Sequence, residues 1–265
     1  MLREAIMYAK RMDHRLKEYS QQYDAGWWES NQDYAMDLDR RLAVDYVALD
    51  DEGVSDAVLA IPSMGGREIG RHLRDWSSML REGEQAVELG CWLGAGTAQM
   101  ALGIKSAGLM MSKVHSFDKF SATFSQIEKA KAVGMSLQRG DTTIVVMGLL
   151  KSAGVLDYVK LHKGQIGAQS WDDGKIGLYV DDACKREEAF VQAIRTFGPS
   201  WIPERTVIVL MDFWYYKRKG ADAGLRFQSD WMNRHAHNFE VVERTMLGTS
   251  AAAFRFIGGE PWKTR

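Results

Sequence analysis

The segment VELGCWLGAGTAQMA, residues 87–101, constrains this chain more than any other. An apolar strand ending in the acid Glu88 runs into a turn punctuated by Gly90, Gly94 and Gly96, and the turn opens a helix at about Thr97. Glycine lacks the Cβ that blocks close approach, so such a turn lets backbone N–H groups at a helix start come near a small ligand. A strand feeding a helix through a tight turn is also the opening move of an α/β sheet.

The downstream pattern continues that move. Apolar strands are expected at residues 86–89, 113–117, 159–162, 176–180 and 206–211, with helices at 97–107, 120–133 and 187–197 between them. Residues 142–146 are β-branched and suit a strand, whereas 147–153 suit a helix, and periodicity leaves both readings open. Two further strands, 239–243 and 252–257, are joined by a Gly/Ser turn and predict a terminal hairpin. Upstream, Ala5, Tyr8, Met12 and Leu16 recur at helical spacing, a second helix fits 66–81, and 54–62 reads as a short strand or extended connection. The expectation is a doubly wound, mostly parallel α/β sheet with an antiparallel C-terminal hairpin and an N-terminal helical cap. The cap occupies 1–82 and the ligand-binding domain 83–265.

Composition narrows the function. Hydrophobic residues make up 46% of the 265, enough for a sizeable core, and the formal charge of -1 leaves no basic field for a phosphate backbone. Nucleic acid is therefore not an expected partner. The two cysteines, Cys91 and Cys184, have no second thiol at metal or redox spacing and fit a reducing compartment. The first residues are charged throughout, and no apolar run is long enough to cross a bilayer, so a cytoplasmic, membrane-free protein is expected. Of six histidines only His235 and His237 stand at zinc spacing, without companion ligands, and His162 reads as structural.

A dinucleotide turn reads G-x-G-x-x-G, whereas here the order is G-x-x-x-G-x-G. The second strand ends in VHSFDKF, which places Asp118 at its carboxyl edge, where a carboxylate can accept both hydroxyls of an adenosine ribose. Together these segments resemble class I S-adenosylmethionine-dependent methyltransferases, in the branch whose first motif reads E-[IL]-G-x-x-x-G-x-[SG]-T and which includes small-molecule and sugar O-methyltransferases. LHKGQI (161–166), KIGLYVDDACK (175–185) and TVIVLMDFW (206–214) are similar to its later motifs, and the terminal AAAFRF fits its hairpin. The resemblance spans residues 61–257.

That resemblance implies a seven-stranded sheet and S-adenosyl-L-methionine held by Glu88, Gly90, Gly94, Thr97, Asp118, Gln165 and Asp182. Thr97 would turn its hydroxyl to the methionine carboxylate, and Lys119 and Ile166 belong to the same two motifs. Trp92 and Phe120 would flank the ligand or pack in the core. Methyl transfer to a hydroxyl needs a base or a metal. Asp182 is the first choice for general base or metal ligand, Asp212 is the second carboxylate, and Lys185 would orient the acceptor, neutralise Asp182 or merely face solvent in a first helical turn. Asp181 reads as a cap or strand-end turn acid. Mg²⁺ held by Asp182 and Asp212 is the metal alternative, weakened because Asp212 stands between Met211 and Phe213 rather than beside a second acid.

On the acceptor side, FWYYKRKG (213–220) offers aromatic faces for a sugar ring and Lys217, Arg218 and Lys219 for an anion, or is a solvated loop. Trp27 and Trp28 suggest a lid, a subunit contact or a packed helix end, and the expected partners include a second copy of the chain. The expected activity is O-methylation of a small, sugar-like acceptor. The rivals are an NAD(P)-dependent sugar oxidoreductase, which lacks its turn here, and a non-catalytic binding subunit that keeps the fold.

Overall fold

The computed structural model describes residues 54–63, 66–132, 134–217, 223–243 and 250–263. The expected helix at the N-terminus, with Trp27, Trp28 and His14, lies outside the described residues, as do Arg218, Lys219 and the turn of the terminal hairpin.

Seven strands form one sheet: β1 (Gln85–Leu89), β2 (Val114–Asp118), β5 (Val159–Lys163), β6 (Ile176–Asp181), β7 (Val207–Leu210), β8 (Phe239–Glu243) and β9 (Ala252–Phe256). Their order is β5-β2-β1-β6-β7-β9-β8. The first five run parallel, β9 lies antiparallel to β7, and β8 antiparallel to β9. From β1 the chain winds outward through β2 to β5, then crosses back to β6 on the other side of β1. That reversal is a topological switch point, and the crevice beyond the strand ends there is where ligands bind in open α/β sheets.

Every residue of β1 and β6 is buried, as expected of central parallel strands covered on both faces. The period of two divides their side chains. Ala86, Leu178, Val180 and Val209 enter one core with Met100, Ala101 and Ile104. Val87, Leu89, Tyr179, Ile208 and Leu210 enter the other with Phe190, Ile194, Phe197 and Trp231. The first core is covered by α1 (Asp56–Leu59), α2 (Gly66–Ser78), α3 (Ala95–Ser106), α4 (Phe124–Ala132) and α5 (Thr143–Ser152), the second by α6 (Glu187–Phe197) and α7 (Phe227–Arg234). Helix α2 lies so close to α3 that a Cβ on Gly103 would fall 2.2 Å from both the Arg74 carbonyl oxygen and Ser77 Oγ.

Three local expectations change. Within 54–62, Asp56–Leu59 is helical instead of strand or extended, because Ser55 caps a single helical turn by accepting the Val58 N–H, and Val58 anchors that turn in the core. The open stretch at 142–153 is one helix, α5. Helix α4 starts four residues late, because residues 121–122 pair with 140–141 as a small ribbon, β3 (Ser121–Ala122) with β4 (Gly140–Asp141). Among the described residues no helix is long and apolar enough to cross a membrane.

Candidate functional site

The crevice is built at the carboxyl ends of β1, β2 and β6. Gly90 sits at φ +87°, and a Cβ there would meet Ala183 Cβ at 3.0 Å and the Asp182 carbonyl carbon at 3.1 Å. Both the left-handed conformation and this approach require glycine. Beyond it the glycines serve other ends. Gly94, the N-cap of α3, faces α5, with Val146 Cγ1 3.3 Å from where its Cβ would stand. Gly94 is not among the residues that line the two chambers of the crevice. Gly96 accommodates Glu88, whose Oε1 would be 2.5 Å from a Cβ at that position.

Glu88 is 4% exposed. Its Oε2 accepts hydrogen bonds from the Thr97 hydroxyl and, at 2.9 Å, from the Ser116 hydroxyl. Burial pushes the carboxyl up to about 7. The two hydroxyls oppose that rise, and the charges of Asp182 and Asp118 add to it. Thr97 is fully buried, so its side chain supports Glu88 from below instead of facing a ligand carboxylate. Glu88 lines a small chamber of about 50 Å³ with Pro62, Ile69, Leu73, Trp92 and Met211.

Asp118 binds the turn on either side of the crevice. Its Oδ2 accepts from the Trp92 N–H at 3.1 Å, and its Oδ1 from the Phe120 N–H at 2.8 Å. Trp92 and Phe120 both adopt φ +47°, a conformation that non-glycine residues enter only at a cost. One carboxylate thus holds two strained residues. The Phe120 ring is buried in the core and does not flank the crevice. Trp92 does: it walls both the small chamber and a larger one of about 490 Å³, and its indole N–H is buried without a hydrogen-bond partner. The larger chamber is lined by Asp118, Lys119, Gln165, Ile166, Asp182 and Lys185, and also by Gln126 and Arg186. Neither of the last two is among the residues expected from the sequence. Arg186 directly follows Lys185 and was within reach of that motif, whereas nothing local marks Gln126 on α4.

Asp182 borders both chambers. The Lys185 ammonium is 3.2 Å from Asp182 Oδ1 and also ion-paired with Asp212 Oδ2. Withdrawal from water raises Asp182 to about 6; Lys185 opposes the shift, while Asp212 and Asp181 reinforce it. Burial disfavours the Lys185 ammonium, but the two carboxylates outweigh it and hold its pKa above the ordinary lysine value. Lys185 precedes α6 and lies outside its first turn. Asp181 is a strand-end turn acid, accepting the Ala183 and Cys184 N–H groups at 3.1 and 3.0 Å.

The donor set does not suit Mg²⁺. A hard dication asks for several oxygens, yet Asp182 and Asp212 share the Lys185 cation, and no cluster of three His, Cys, Asp or Glu among the described residues could hold a metal. His235 is buried with its Nδ1 against the Trp231 carbonyl while His237 is exposed, so that pair does not converge. His162 stacks on Phe117 with ring centroids 4.2 Å apart. On the acceptor side Phe213 is buried against Phe254, and Tyr216 lies under the Arg226 guanidinium at 5.3 Å.

A nucleoside cofactor with an amino-acid tail fits these features: a backbone cradle at Gly90, acids at the two ends, and an orphaned indole N–H on the shared wall. Solved structures agree on the architecture. The O-methyltransferase NovP matches over 71% of this chain and 80% of its own, with TM-score 0.53 and 11% identity. A candidate O-methyltransferase from Klebsiella pneumoniae matches over 83% and 96%, with TM-score 0.53 and 13% identity. Cofactor-bound Rv0187 from MTB matches over the same shares, with TM-score 0.52 and 18% identity. No protein-family model matches the sequence, and no curated protein does. The chain has the Rossmann-like fold of class I methyltransferases.

Proposed function

We propose that this protein is an S-adenosylmethionine-dependent O-methyltransferase acting on a small-molecule hydroxyl, with a sugar or glycosylated compound as acceptor. The observation that carries this reading is Asp182, which borders both chambers and is tied through Lys185 to Asp212. When bound, S-adenosylmethionine supplies an electrophilic methyl group on a sulfonium. Asp118 and Gln165 would hold its adenosine end, Gly90 would admit its middle, and Glu88 would face its amino-acid tail.

The chain's own groups supply the rest. A carboxyl with its pKa near 6 is ionised at neutral pH and basic enough to receive a proton. With the cofactor bound, Asp182 would take the proton of the acceptor hydroxyl as that oxygen accepts the methyl group, the methyl–sulfur bond breaking with its electron pair left on sulfur. Lys185 fixes the direction of that carboxylate and keeps Asp212 from raising its pKa further. Trp92 and Met211 exclude water beside it. No metal enters the scheme. The acceptor is a soluble molecule met in the cytoplasm, neither nucleic acid nor membrane takes part, and sedimentation equilibrium tests for a homo-oligomer.

The test runs in two stages. Thermal melts with S-adenosylhomocysteine, NAD⁺ and NADP⁺ in parallel should show stabilisation by the first alone. Methyl-labelled S-adenosylmethionine is then offered with a panel of free, nucleotide-linked and glycosidic sugars, and label transfer should vanish in Asp182→Asn. Stabilisation by NAD⁺ alone would replace this reading with the oxidoreductase one. Cofactor binding with no transfer to any acceptor would favour a binding subunit.

A further inference from the structure

We propose that Trp171 and Asp173 are positioning residues that hold the adenine side of the crevice in place; this rests on the cofactor reading above. The connection from β5 to β6, residues 164–175, is a crossover between parallel strands, a place usually taken by an α-helix. Here its only regular structure is a 3₁₀ turn, Ile166–Ala168. That turn follows Gly164 and Gln165, and residues 164–167 all line the larger chamber. The Gly164 N–H is bound to the Asp118 carbonyl at 2.9 Å, and the Ala168 and Gln169 N–H groups close the turn on Gln165 and Ile166. The turn itself rests against α6, with Gln192 Cγ 3.9 Å from where a Gly167 Cβ would stand and Ile166 packed on the core beneath, whereas residues 169–175 form no helix of their own and depend on side chains to fasten them.

Two side chains fasten it. The half-buried Trp171 ring stands edge-on to His115 with centroids 4.8 Å apart, and lies 5.8 Å from Phe197 on α6. Its indole N–H donates to the Gly174 carbonyl at 2.8 Å, closing the strap on itself. Asp173 accepts from Lys160 Nζ at 2.7 Å and faces His115 Nδ1 at 3.7 Å. His115 is itself 3.1 Å from His162, whose ring lies on Phe117. Trp171 and Asp173 therefore pin the strap to β2 and β5, and one aromatic ring covers the face that a crossover helix would cover. Lys160 and Asp173 are both partly exposed, so their pairing alone is weak; the ring contact of Trp171 with the buried His115 is the stronger fastening. Neither residue touches the crevice. Releasing them leaves residues 165–168 held by the α6 contact alone, and the order the turn loses must be restored at binding at a cost in affinity.

The experiment uses the full chain. Calorimetric titrations with S-adenosylhomocysteine and with adenosine are compared for the wild type, Trp171→Ala, Trp171→Phe and Asp173→Asn, alongside hydrogen exchange of residues 164–169. Trp171→Ala should weaken both ligands by the same factor, about tenfold, and speed exchange in 164–169 while β1 stays protected. Trp171→Phe, which keeps a ring, should recover most of the loss, and Asp173→Asn should show a smaller loss of the same kind. A folded Trp171→Ala or Asp173→Asn with wild-type affinity and exchange overturns the proposal. Should Trp171→Ala fail to fold, Trp171→Leu and Asp173→Asn carry the same test. A wild type that binds no S-adenosylhomocysteine defeats the cofactor reading instead, so the two failures are distinct.

Discussion

Replacing Glu88 by glutamine should stabilise the ligand-free protein and weaken its hold on the cofactor. The carboxyl rises from an ordinary 4.5 to about 7 because burial penalises its ionised form more than the Thr97 and Ser116 hydroxyls favour it. The folded state therefore prefers the protonated acid. The stabilisation this gives is complete below pH 4.5 and is lost as the pH rises through about 7. A rise of about 2.5 on the pH scale corresponds to ~3 kcal/mol of lost stability on the alkaline side, at ~1.4 kcal/mol for each tenfold change in protonation. Glutamine keeps the shape. Its amide oxygen can accept from Thr97 and Ser116 as Oε2 does, and it never ionises.

Scanning calorimetry of both proteins between pH 5 and 8.5 checks this. Asp182, which burial raises to about 6, is present in both, and because its charge adds to the Glu88 shift the difference also carries the coupling between the two acids. The variant's excess stability should be under ~1 kcal/mol at pH 5 and approach ~3 kcal/mol at pH 8.5, or roughly 6–12 °C in melting temperature for a chain of this size. In parallel, S-adenosylhomocysteine should bind Glu88→Gln about tenfold or more weakly, because its ammonium group no longer meets a carboxylate. A stability difference that does not change with pH would refute the account of Glu88, whatever its sign.

Four further outcomes follow from the same geometry. Asp118→Asn leaves one of the Trp92 and Phe120 N–H groups without an acceptor and should cost ~1–3 kcal/mol by urea unfolding, with a matching loss of S-adenosylhomocysteine affinity. Gly90→Ala places a methyl against Ala183 and Asp182 at a positive φ and should cost ~2–4 kcal/mol by the same measurement. Lys185→Met removes the cation that lowers the Asp182 pKa, so the acid limb of the methyl-transfer pH profile should move upward from about 6, with activity at pH 7 down roughly tenfold or more. EDTA should leave methyl transfer unchanged, since Asp182 and Asp212 are both committed to Lys185; restoration by added Mg²⁺ would refute that.

Alternation of strand and helix was legible along the chain because buried parallel strands are continuous apolar runs with turn residues between them. Helix α6 falls on its expected bounds, since Phe190, Ala193, Ile194 and Phe197 mark one face. Helix α5 was not legible, because only Val146 and Leu150 are buried while Ile144 and Val145 point outward, so its apolar residues carry no clean period. The site divides in the same way. Glu88, Gly90, Asp118, Gln165, Asp182 and Lys185 reach the crevice because strand direction fixes where a strand end points. Gly94, Thr97 and Phe120 belong to the same motifs and turn elsewhere. What each faces is set by partners distant in sequence: α5 for Gly94, the Glu88 carboxylate for Thr97, and the core around β3 for Phe120.

Thr97 and Phe120 show why motif position and ligand contact separate here. The crevice needs an ionisable acid in a dry place and two residues at φ +47°, all of which are unfavourable on their own. Each has a support just outside the crevice. Thr97 and Ser116 solvate Glu88 with hydroxyls in place of water, and Asp118 receives the N–H groups of both strained residues. Each Asp118 oxygen keeps one further lone pair, so the same carboxylate that steadies the two turns can still accept from a ligand hydroxyl pair. A ligand held there draws on geometry already fixed by the fold. Disturbing Asp118 should therefore lower stability and affinity together, whereas disturbing Glu88 should move them in opposite directions.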